Sequence, residues 1–277
     1  MRAAFALAAA LVQAATFSSR VDVVRVDVLV TDNGKPVVGL TPADFEIVDN
    51  GVAQQVELVS FDQVPLNVVL AFDMSNSVEG DRRDRLLTGA GALLSGLNTD
   101  DQAALITFSH IVERGAKLTR DVASVRAALA DAEAVGDTAL IDGTFAGMMV
   151  GESDVGRGLL IIFSDGVDTS SWLPPSSVLD TARRSGVVAY AVSVRSRIRP
   201  EFLEELTSLT GGRLFEVERT QNLDAIFLGV LEEFRHRYLV SYTPRGVSRA
   251  GWHQLDVRVK GRKTVKARPG YLGSPSP

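Results

Sequence analysis

Three short polar segments have the side-chain chemistry of a cation site. The first, residues 73–77, has the pattern D-x-S-x-S. The second, residues 136–138, is G-x-T, and the third, residues 164–166, is S-D-G. Hydroxyl and carboxylate oxygens are hard ligands, which suit Mg²⁺, Mn²⁺ or Ca²⁺ better than zinc or copper. The candidate metal-binding residues are Asp73, Ser75, Ser77, Thr138 and Asp165.

Buried strands are expected to position two of these segments. Residues 66–72 and 158–163 are continuous apolar runs, typical of strands that are buried on both faces of a sheet. The D-x-S-x-S segment follows the first run directly, and the S-D-G segment follows the second. Ligand sites in open α/β sheets lie beyond the carboxyl ends of the strands, where the strand order switches. We therefore expect Asp73 and Asp165 at one edge of a single sheet.

The chain between residues 66 and 236 alternates predicted strands with predicted helices. The strands are 66–72, 102–108, 158–163, 187–194 and 213–216. The helices are 82–97, 121–133, 138–150, 175–184, 200–209 and 223–234. This alternation is typical of the α/β class, with a doubly wound, mostly parallel, Rossmann-like sheet.

Both flanks of this α/β unit are rich in short predicted strands. The N-terminal β segment, residues 20–64, contains two Asn-Gly turn signals. The C-terminal β segment covers residues 238–272. Each is close to the size that rarely folds unaided. We predict that the two segments pair into one small β-sandwich, with the α/β unit inserted between them. Two separate small sheets packed on that unit are the alternative.

Composition excludes several classes of site and partner. The 277 residues include three histidines and no cysteine, which removes disulfide scaffolds, zinc fingers and thiol nucleophiles. The net charge of −5 argues against nucleic acid as a partner. Ten basic residues and one acidic residue lie between Arg235 and Arg268. This basic segment is interpreted either as a solvated hairpin face or as a surface for an anionic partner.

Residues 1–15 have the layout of a secretory signal peptide. Arg2 precedes an apolar run over residues 3–12, and the small residues Ala14 and Ala15 follow it. An Ala-rich helical extension is the alternative. The run is shorter than the ~20 residues that span a bilayer, and no later stretch is long and apolar enough. We therefore expect an exported protein, periplasmic or extracellular, without a transmembrane segment.

The three polar segments, at these places in the strand pattern, resemble the metal-ion-dependent adhesion site of a von Willebrand factor A (VWA) domain. The likeness covers residues 66–236, and the flanks are similar to those of bacterial exported proteins with this domain. The resemblance implies that the hydroxyls of Ser75, Ser77 and Thr138 bind the ion directly. It implies that Asp73 and Asp165 act largely through bound water. It also implies that the ion takes its last ligand from an Asp or Glu of a protein partner.

These features together predict a non-enzymatic, divalent-metal-dependent, adhesion-like protein-binding module. One alternative is a structural or assembly subunit of the cell envelope with a metal-stabilised contact. A metal-dependent hydrolase is less favoured. Asp73 lies where aspartyl-phosphate phosphatases place their nucleophile, but Ser75 replaces the second carboxylate that those enzymes need. The sequence also contains no G-x-x-x-x-G-K-[ST] phosphate loop.

Four further residues lie near the predicted site. Asp142 and Asp168 are interpreted as an early-helix carboxylate and an exposed loop acid, in preference to metal contacts. His110 is interpreted as a solvated loop side chain. Trp172 has two interpretations: it contacts a partner, or it packs and thereby anchors its loop.

Overall fold

The computed structural model describes residues 23–61, 64–153, 155–165, 167–261 and 263–273. The predicted leader, residues 1–15, lies outside them. Within this part of the chain, no helix is long and apolar enough to cross a membrane. The strands are β1 (Val24–Asp32), β2 (Lys35–Pro36), β3 (Phe45–Asp49), β4 (Val52–Gln54), β5 (Val56–Ser60), β6 (Leu66–Asp73), β7 (Gln102–Phe108), β8 (Val112–Thr119), β9 (Arg157–Ser164), β10 (Val188–Val194), β11 (Leu214–Val217), β12 (Arg237–Tyr242), β13 (Gly251–Val259), β14 (Thr264–Lys266) and β15 (Gly270–Gly273). The helices are α1 (Asp81–Ser95), α2 (Val122–Asp131), α3 (Leu140–Gly151), α4 (Pro175–Arg184), α5 (Glu201–Thr210) and α6 (Leu223–Arg235), with 3₁₀ turns at Pro42–Asp44, Asn76–Val78 and Thr220–Asn222.

A six-stranded sheet with the order β11-β10-β9-β6-β7-β8 forms the centre of the α/β unit. Its neighbouring strands run parallel, except that β8 is antiparallel to β7. From β6 the chain builds outward through β7 and β8, and it then returns to β9 on the other side of β6. The strand order therefore switches between β6 and β9. The predicted doubly wound, mostly parallel sheet is confirmed.

Helices cover both faces of this central sheet. The cluster on one face includes residues of α1, α2 and α6, and the cluster on the other face includes residues of α3, α4 and α5. Side chains alternate across a strand, so Val68, Leu70 and Phe72 of β6 face the first layer, whereas Val69 and Ala71 face the second. All eight residues of β6 are buried. This double burial is the reason for the continuous apolar run in the sequence.

Strands from both flanks form a β-sandwich. One sheet has the order β14-β1-β12-β5, with β2 beside β1, and the other has the order β15-β13-β3-β4. Each sheet contains strands from both the N-terminal and the C-terminal flank. One apolar cluster, which includes Val28 of the first sheet and Ile47 of the second, lies between them. The alternative of two separate sheets, one from each flank, is therefore wrong.

Two tight turns in the sandwich explain the Asn-Gly pairs. Asn33 and Gly34 join β1 to β2 with φ of 49° and 77°, and Asn50 and Gly51 join β3 to β4 with φ of 46° and 83°. Positive φ at both central residues defines the type I′ hairpin turn, which asparagine followed by glycine adopts readily. The turns predicted at these positions are confirmed.

The edge strands β8 and β15 have no counterpart in the sequence prediction. β8 lies at one edge of the central sheet, and β15 lies at one edge of the sandwich. Half of the residues of β8 are polar or charged, with Gly115 in its middle, and β15 has four residues with a glycine at each end. Edge strands have one side without a partner and are commonly short or polar. In β8 the apolar alternation that identifies a strand in sequence is interrupted by Arg114, and β15 is too short to show it.

The C-terminal basic segment is not a continuous basic surface. Arg237 is fully buried and donates a hydrogen bond to the Tyr190 hydroxyl at 2.8 Å. Arg235 donates to Asp101 at 2.6 Å. Arg268 donates to carbonyl oxygens at the end of α4, and its burial lowers its pKa to about 10. These three guanidinium groups are therefore structural contacts, and two further basic residues of the segment, Arg258 and Lys263, form ion pairs with Asp256 and Asp32.

Candidate metal centre

The D-x-S-x-S segment begins at the carboxyl end of β6, beside the point where the strand order switches. Asp73 is the last residue of β6, and both it and Ser75 are buried. The 3₁₀ turn Asn76–Val78 then redirects the chain into the loop before α1. Asp165 directly follows β9, the neighbouring strand. Asp73 and Asp165 thus lie at the same sheet edge.

Hydrogen bonds connect the side chains at these two strand ends. Ser75 Oγ and Ser77 Oγ are 2.9 Å apart, and Ser77 Oγ donates to Asp165 Oδ1 at 2.5 Å. Asp73 accepts at both carboxylate oxygens. Its Oδ1 accepts from the Ser75 N–H at 2.9 Å, and its Oδ2 accepts from the Ser164 hydroxyl at 2.7 Å. Asp73 therefore fixes the D-x-S-x-S loop, while Ser75, Ser77 and Asp165 bring oxygen atoms together.

Burial raises the pKa of Asp73 above the usual value for an aspartate. Hydrogen bonds from Ser75 and Ser164 oppose this increase, and the negative charge of Asp165 adds to it. The ionised form of Asp73 is thus penalised by desolvation and by a like charge. A cation bound nearby would offset both effects.

Thr138 lies on the loop between α2 and α3, which is tied to the D-x-S-x-S segment. The N–H of Asn76 donates to the carbonyl of Gly136 at 3.0 Å, and the N–H of Gly136 donates to Asn76 Oδ1 at 3.1 Å. The carbonyl of Thr138 also accepts from the N–H of Thr169, on the loop after β9, at 2.8 Å. The main chain of Thr138 is thereby fixed between the loops that carry the other candidate ligands.

Gly136 is a position where this loop requires glycine. Its φ is +74°, and a Cβ atom there would lie 2.1 Å from Nδ1 of His110. His110 is exposed, as predicted, but its ring also packs directly against the glycine that leads to Thr138. Any larger residue at position 136 would displace either the histidine or the loop.

Two residues of the site, Ser164 and Arg82, were not among the predicted candidates. Ser164 donates to Asp73, and Arg82 forms an ion pair with Asp165 and donates to the carbonyl of Ser77 at 2.9 Å. Ser164 is the serine of the S-D-G segment itself. The sequence feature that could have identified Arg82 is its position in the first turn of a helix. The helix dipole disfavours a positively charged side chain there unless an acidic group compensates it.

The residues present fit a small, hard divalent cation. Adjacent ligands of an octahedral Mg²⁺, bound at 2.0–2.1 Å, lie about 2.9 Å apart, which matches the separation of Ser75 Oγ and Ser77 Oγ. Asp165 already attracts a positive group, the guanidinium of Arg82. In the described ranges, no three His, Asp or Glu side chains converge as metal ligands. A metal at this edge would therefore depend on the hydroxyl groups.

Asp142 and Asp168 bind the loop that follows β9. Asp142, in the first turn of α3, accepts the N–H groups of Trp172 and Leu173, both at 2.9 Å. Asp168 accepts the Ser171 hydroxyl at 2.5 Å and is partly buried, not exposed as predicted. The Trp172 side chain is 94% exposed, so the packed-anchor interpretation is wrong. Carboxylates fix this loop, and they present the tryptophan to solvent.

Replacing Asp142 by alanine is expected to loosen this loop. Two backbone N–H groups lose a charged acceptor, at a cost of about 1–3 kcal/mol. Hydrogen exchange should accelerate at least about tenfold at the Trp172 and Leu173 amides, and it should stay unchanged in β6. Asp142→Asn retains one acceptor oxygen and should give an intermediate rate. Unchanged protection in Asp142→Ala would show that other contacts fix the loop.

Comparisons with known proteins agree with this architecture. A family model described as the von Willebrand factor type A domain matches residues 67–228. A comparison with curated proteins gave no match. Among solved structures, proximal thread matrix protein 1 from the mussel byssus, with a zinc-occupied MIDAS motif, matches with a TM-score of 0.56 and 17% identity, over 67% of this chain and 49% of that one. The present chain thus spans about half the length of the mussel protein.

Two bacterial structures match over different shares of the chain. A von Willebrand factor type A structure from Catenulispora acidiphila has a TM-score of 0.53 and 12% identity, over 83% of this chain and 73% of that one. An aerotolerance-related membrane protein from Bacteroides fragilis has a TM-score of 0.51 and 16% identity, over 61% of this chain and 98% of that one. At these identities the likeness shows the shared fold.

Proposed function

Because the chain belongs to the von Willebrand factor type A domain family, whose members are modules that often mediate metal-dependent protein interactions, we propose that it is a divalent-metal-dependent protein-binding module. The observation that carries the proposal is the cluster of oxygens from Ser75, Ser77 and Asp165 at the sheet edge. The proposed ion is Mg²⁺, or Mn²⁺ or Ca²⁺. The proposed direct ligands are the hydroxyls of Ser75, Ser77 and Thr138.

The two aspartates have supporting roles in this proposal. Both oxygens of Asp73 accept hydrogen bonds from the protein, which favours a role in orienting Ser75 over direct contact with the ion. Asp165 supplies negative charge beside Ser77, and we assign it a contact through bound water. The chemistry that the ion supplies when bound is an open coordination position for a carboxylate oxygen from a partner's Asp or Glu.

We further propose that this site binds a partner and does not catalyse a reaction. A nucleophilic aspartate must present a free oxygen to its substrate. Asp73 is fully buried, and each of its oxygens accepts a hydrogen bond. The residue two positions later is Ser75, which cannot replace a general-acid carboxylate. The signal-like pattern at residues 1–15 supports export, so the proposed partner is a periplasmic or extracellular protein.

Titration calorimetry with Mg²⁺ and Mn²⁺ tests the metal step. The wild-type chain is expected to bind one ion, and the double variant Ser75→Ala/Ser77→Ala should lose more than about 100-fold in affinity, the upper end of the effect of outer-sphere ligand partners. The matched control Ser95→Ala/Ser208→Ala removes two hydroxyls from exposed helix surfaces and should bind normally. Absence of ion binding by the wild type would rule out the proposal.

Retention of a partner from an envelope extract, with and without EDTA, tests the binding step. Release of the partner by EDTA, together with its absence from Asp73→Ala, is the expected result. A partner that stays bound in EDTA would favour a structural subunit. Hydrolysis of a phosphate or ester substrate that disappears in Asp73→Asn would favour an enzyme.

A further inference from the structure

A cleft of ≈190 Å³ lies beside the candidate metal centre. Its walls come from the first turns of α1, the end of β10 and the segment that follows β11. Three arginines line it, Arg82, Arg85 and Arg219, and Thr220 and Gln221 complete its polar wall. None of the proposed metal ligands lines this cleft.

Two of the three guanidinium groups lack a partner. Across the described ranges, neither Arg85 nor Arg219 forms an ion pair or a side-chain hydrogen bond. Two acids also line the cleft, Asp81 and Glu218, but Glu218 already pairs with Arg195 at 3.2 Å. The cleft therefore retains unneutralised positive charge. In a concave surface such charge concentrates the field and attracts anions.

Arg82 connects this cleft to the candidate metal centre. It lines the cleft, and it also pairs with Asp165 and donates to the carbonyl of Ser77. The cleft thus begins one side chain away from the proposed ligand set. Helix α1 starts here without a side-chain cap, and the acids of its first turn, Asp81 and Asp84, offset part of the positive end of its dipole.

We propose that this cleft is a second carboxylate-binding site, which takes a further acidic residue of the partner segment whose Asp or Glu reaches the metal. This inference rests on the proposed metal-dependent function. Guanidinium groups bind carboxylates with two parallel hydrogen bonds. The carboxylate of Asp81 lines the cleft with Arg85 and Arg219 and keeps the excess positive charge small, which suits a singly charged carboxylate better than a phosphate group of charge near −2. The partner is therefore an acidic peptide segment with several carboxylates.

Calorimetry on the Mg²⁺-loaded full chain tests the second site. The probes are blocked Gly/Ser heptapeptides that carry either one glutamate or three consecutive glutamates. The three-glutamate peptide is expected to bind about three- to tenfold more tightly, the effect of one or two partly exposed ion pairs. Arg85→Gln/Arg219→Gln should abolish this preference, while the affinities for Mg²⁺ and for the one-glutamate peptide stay unchanged.

The matched control is Arg114→Gln/Arg120→Gln. It removes the same charge from β8 and its end, at the sheet edge opposite β11, and it should keep the preference. Equal affinities of the two peptides for the wild type, or loss of the preference in the control, would overturn the inference. Inorganic phosphate that competes with the three-glutamate peptide at equal concentration would also overturn it, because it would identify a free-anion site.

A measurement in EDTA separates this inference from the proposed function. Without metal, the three-glutamate peptide should still shift the amide resonances of Thr220 and Gln221, and a three-glutamine peptide should not. If these shifts occur in a wild type that binds no divalent ion, the proposed function fails and the cleft site stands. If Mg²⁺ binds and the shifts are absent, the cleft inference fails by itself.

Discussion

Asp27→Ala is expected to lower the free energy of unfolding by about 3–5 kcal/mol, the cost of leaving a buried charge without its partner. Asp27 on β1 accepts a hydrogen bond from Arg157 Nε at 2.8 Å, and the two side chains are only 9% and 3% exposed. The guanidinium also lies 4.7 Å from the centre of the Phe234 ring. A movement of the guanidinium away from Asp27 would disturb this packing. Urea unfolding at pH 7 measures the change.

A double-mutant cycle separates the ion pair from general damage. Arg157→Met removes the other charge, and the double variant Asp27→Ala/Arg157→Met should cost clearly less than the two single changes together. Asp256→Ala is the control in the same sandwich, because its partner Arg258 is 67% exposed; it should cost less than about 1 kcal/mol. Strictly additive costs in the cycle would show that the pair contributes no coupling.

This ion pair also bears on the metal site. Arg157 is the first residue of β9, and Ser164 is the last. The strand whose carboxyl end precedes Asp165 is therefore fastened at its other end to the sandwich. We infer that the flanking sandwich fixes the position of β9, so that the flanks and the α/β unit act as one scaffold for the site.

The features of the site that depend on a short stretch of chain can be predicted from the sequence. A central parallel strand such as β6 must be apolar on both faces, so its continuous apolar run is visible without the structure. The polar residues that follow it, beginning with Asp73, lie in the same short stretch of chain. Their place at the sheet edge then follows from the topology of α/β sheets. For this reason both strand ends could be predicted to meet.

The contacts made across long sequence distances could not be predicted in the same way. Arg82 reaches Asp165 across 83 residues, and Ser164 reaches Asp73 across 91. Nothing in the local pattern of either residue encodes its partner. The surface charge of the basic segment could not be predicted for a related reason. Charged residues are normally exposed, yet Arg237 is fully buried. Its burial is possible because the Tyr190 hydroxyl and backbone carbonyls accept its hydrogen bonds.

Alkaline pH is expected to destabilise the protein through three tyrosines, of which Tyr190 and Tyr242 are buried and Tyr271 is partly buried. Burial raises the pKa of Tyr190, Tyr242 and Tyr271 well above the ordinary value of 10. The buried carboxylate of Asp49, which accepts from the hydroxyls of Tyr242 and Tyr271 at 2.9 and 3.0 Å, raises the pKa of both further. Above pH 10 the unfolded chain therefore loses phenolic protons that the native state retains.

The sign and size of this effect follow from linkage. The raised native pKa contributes stability that is fully present below pH 10 and is lost as pH rises, by about 1.4 kcal/mol per pH unit for each tyrosine. Three tyrosines contribute about 4 kcal/mol per pH unit, and Arg268 opposes them by about 1.4, because burial lowers its pKa to about 10 and the native state therefore loses a proton that the unfolded chain retains. The net slope in unfolding free energy is about 3 kcal/mol per pH unit between pH 10 and 11.5.

Tyr242→Phe should reduce this slope by about 1.4 kcal/mol per pH unit, even though it lowers stability at pH 8, where Asp49 loses a hydrogen-bond donor. Ile47→Val, in the same core, lowers stability by about 1 kcal/mol without removing a titrating group, and it should leave the slope intact. Urea unfolding of the wild type and the two variants from pH 8 to 11.5 measures the slope of the unfolding free energy with pH. An unchanged slope in Tyr242→Phe would mean that Tyr242 ionises in the native state as readily as in the unfolded chain, and that the Asp49 cluster does not keep its hydroxyl protonated.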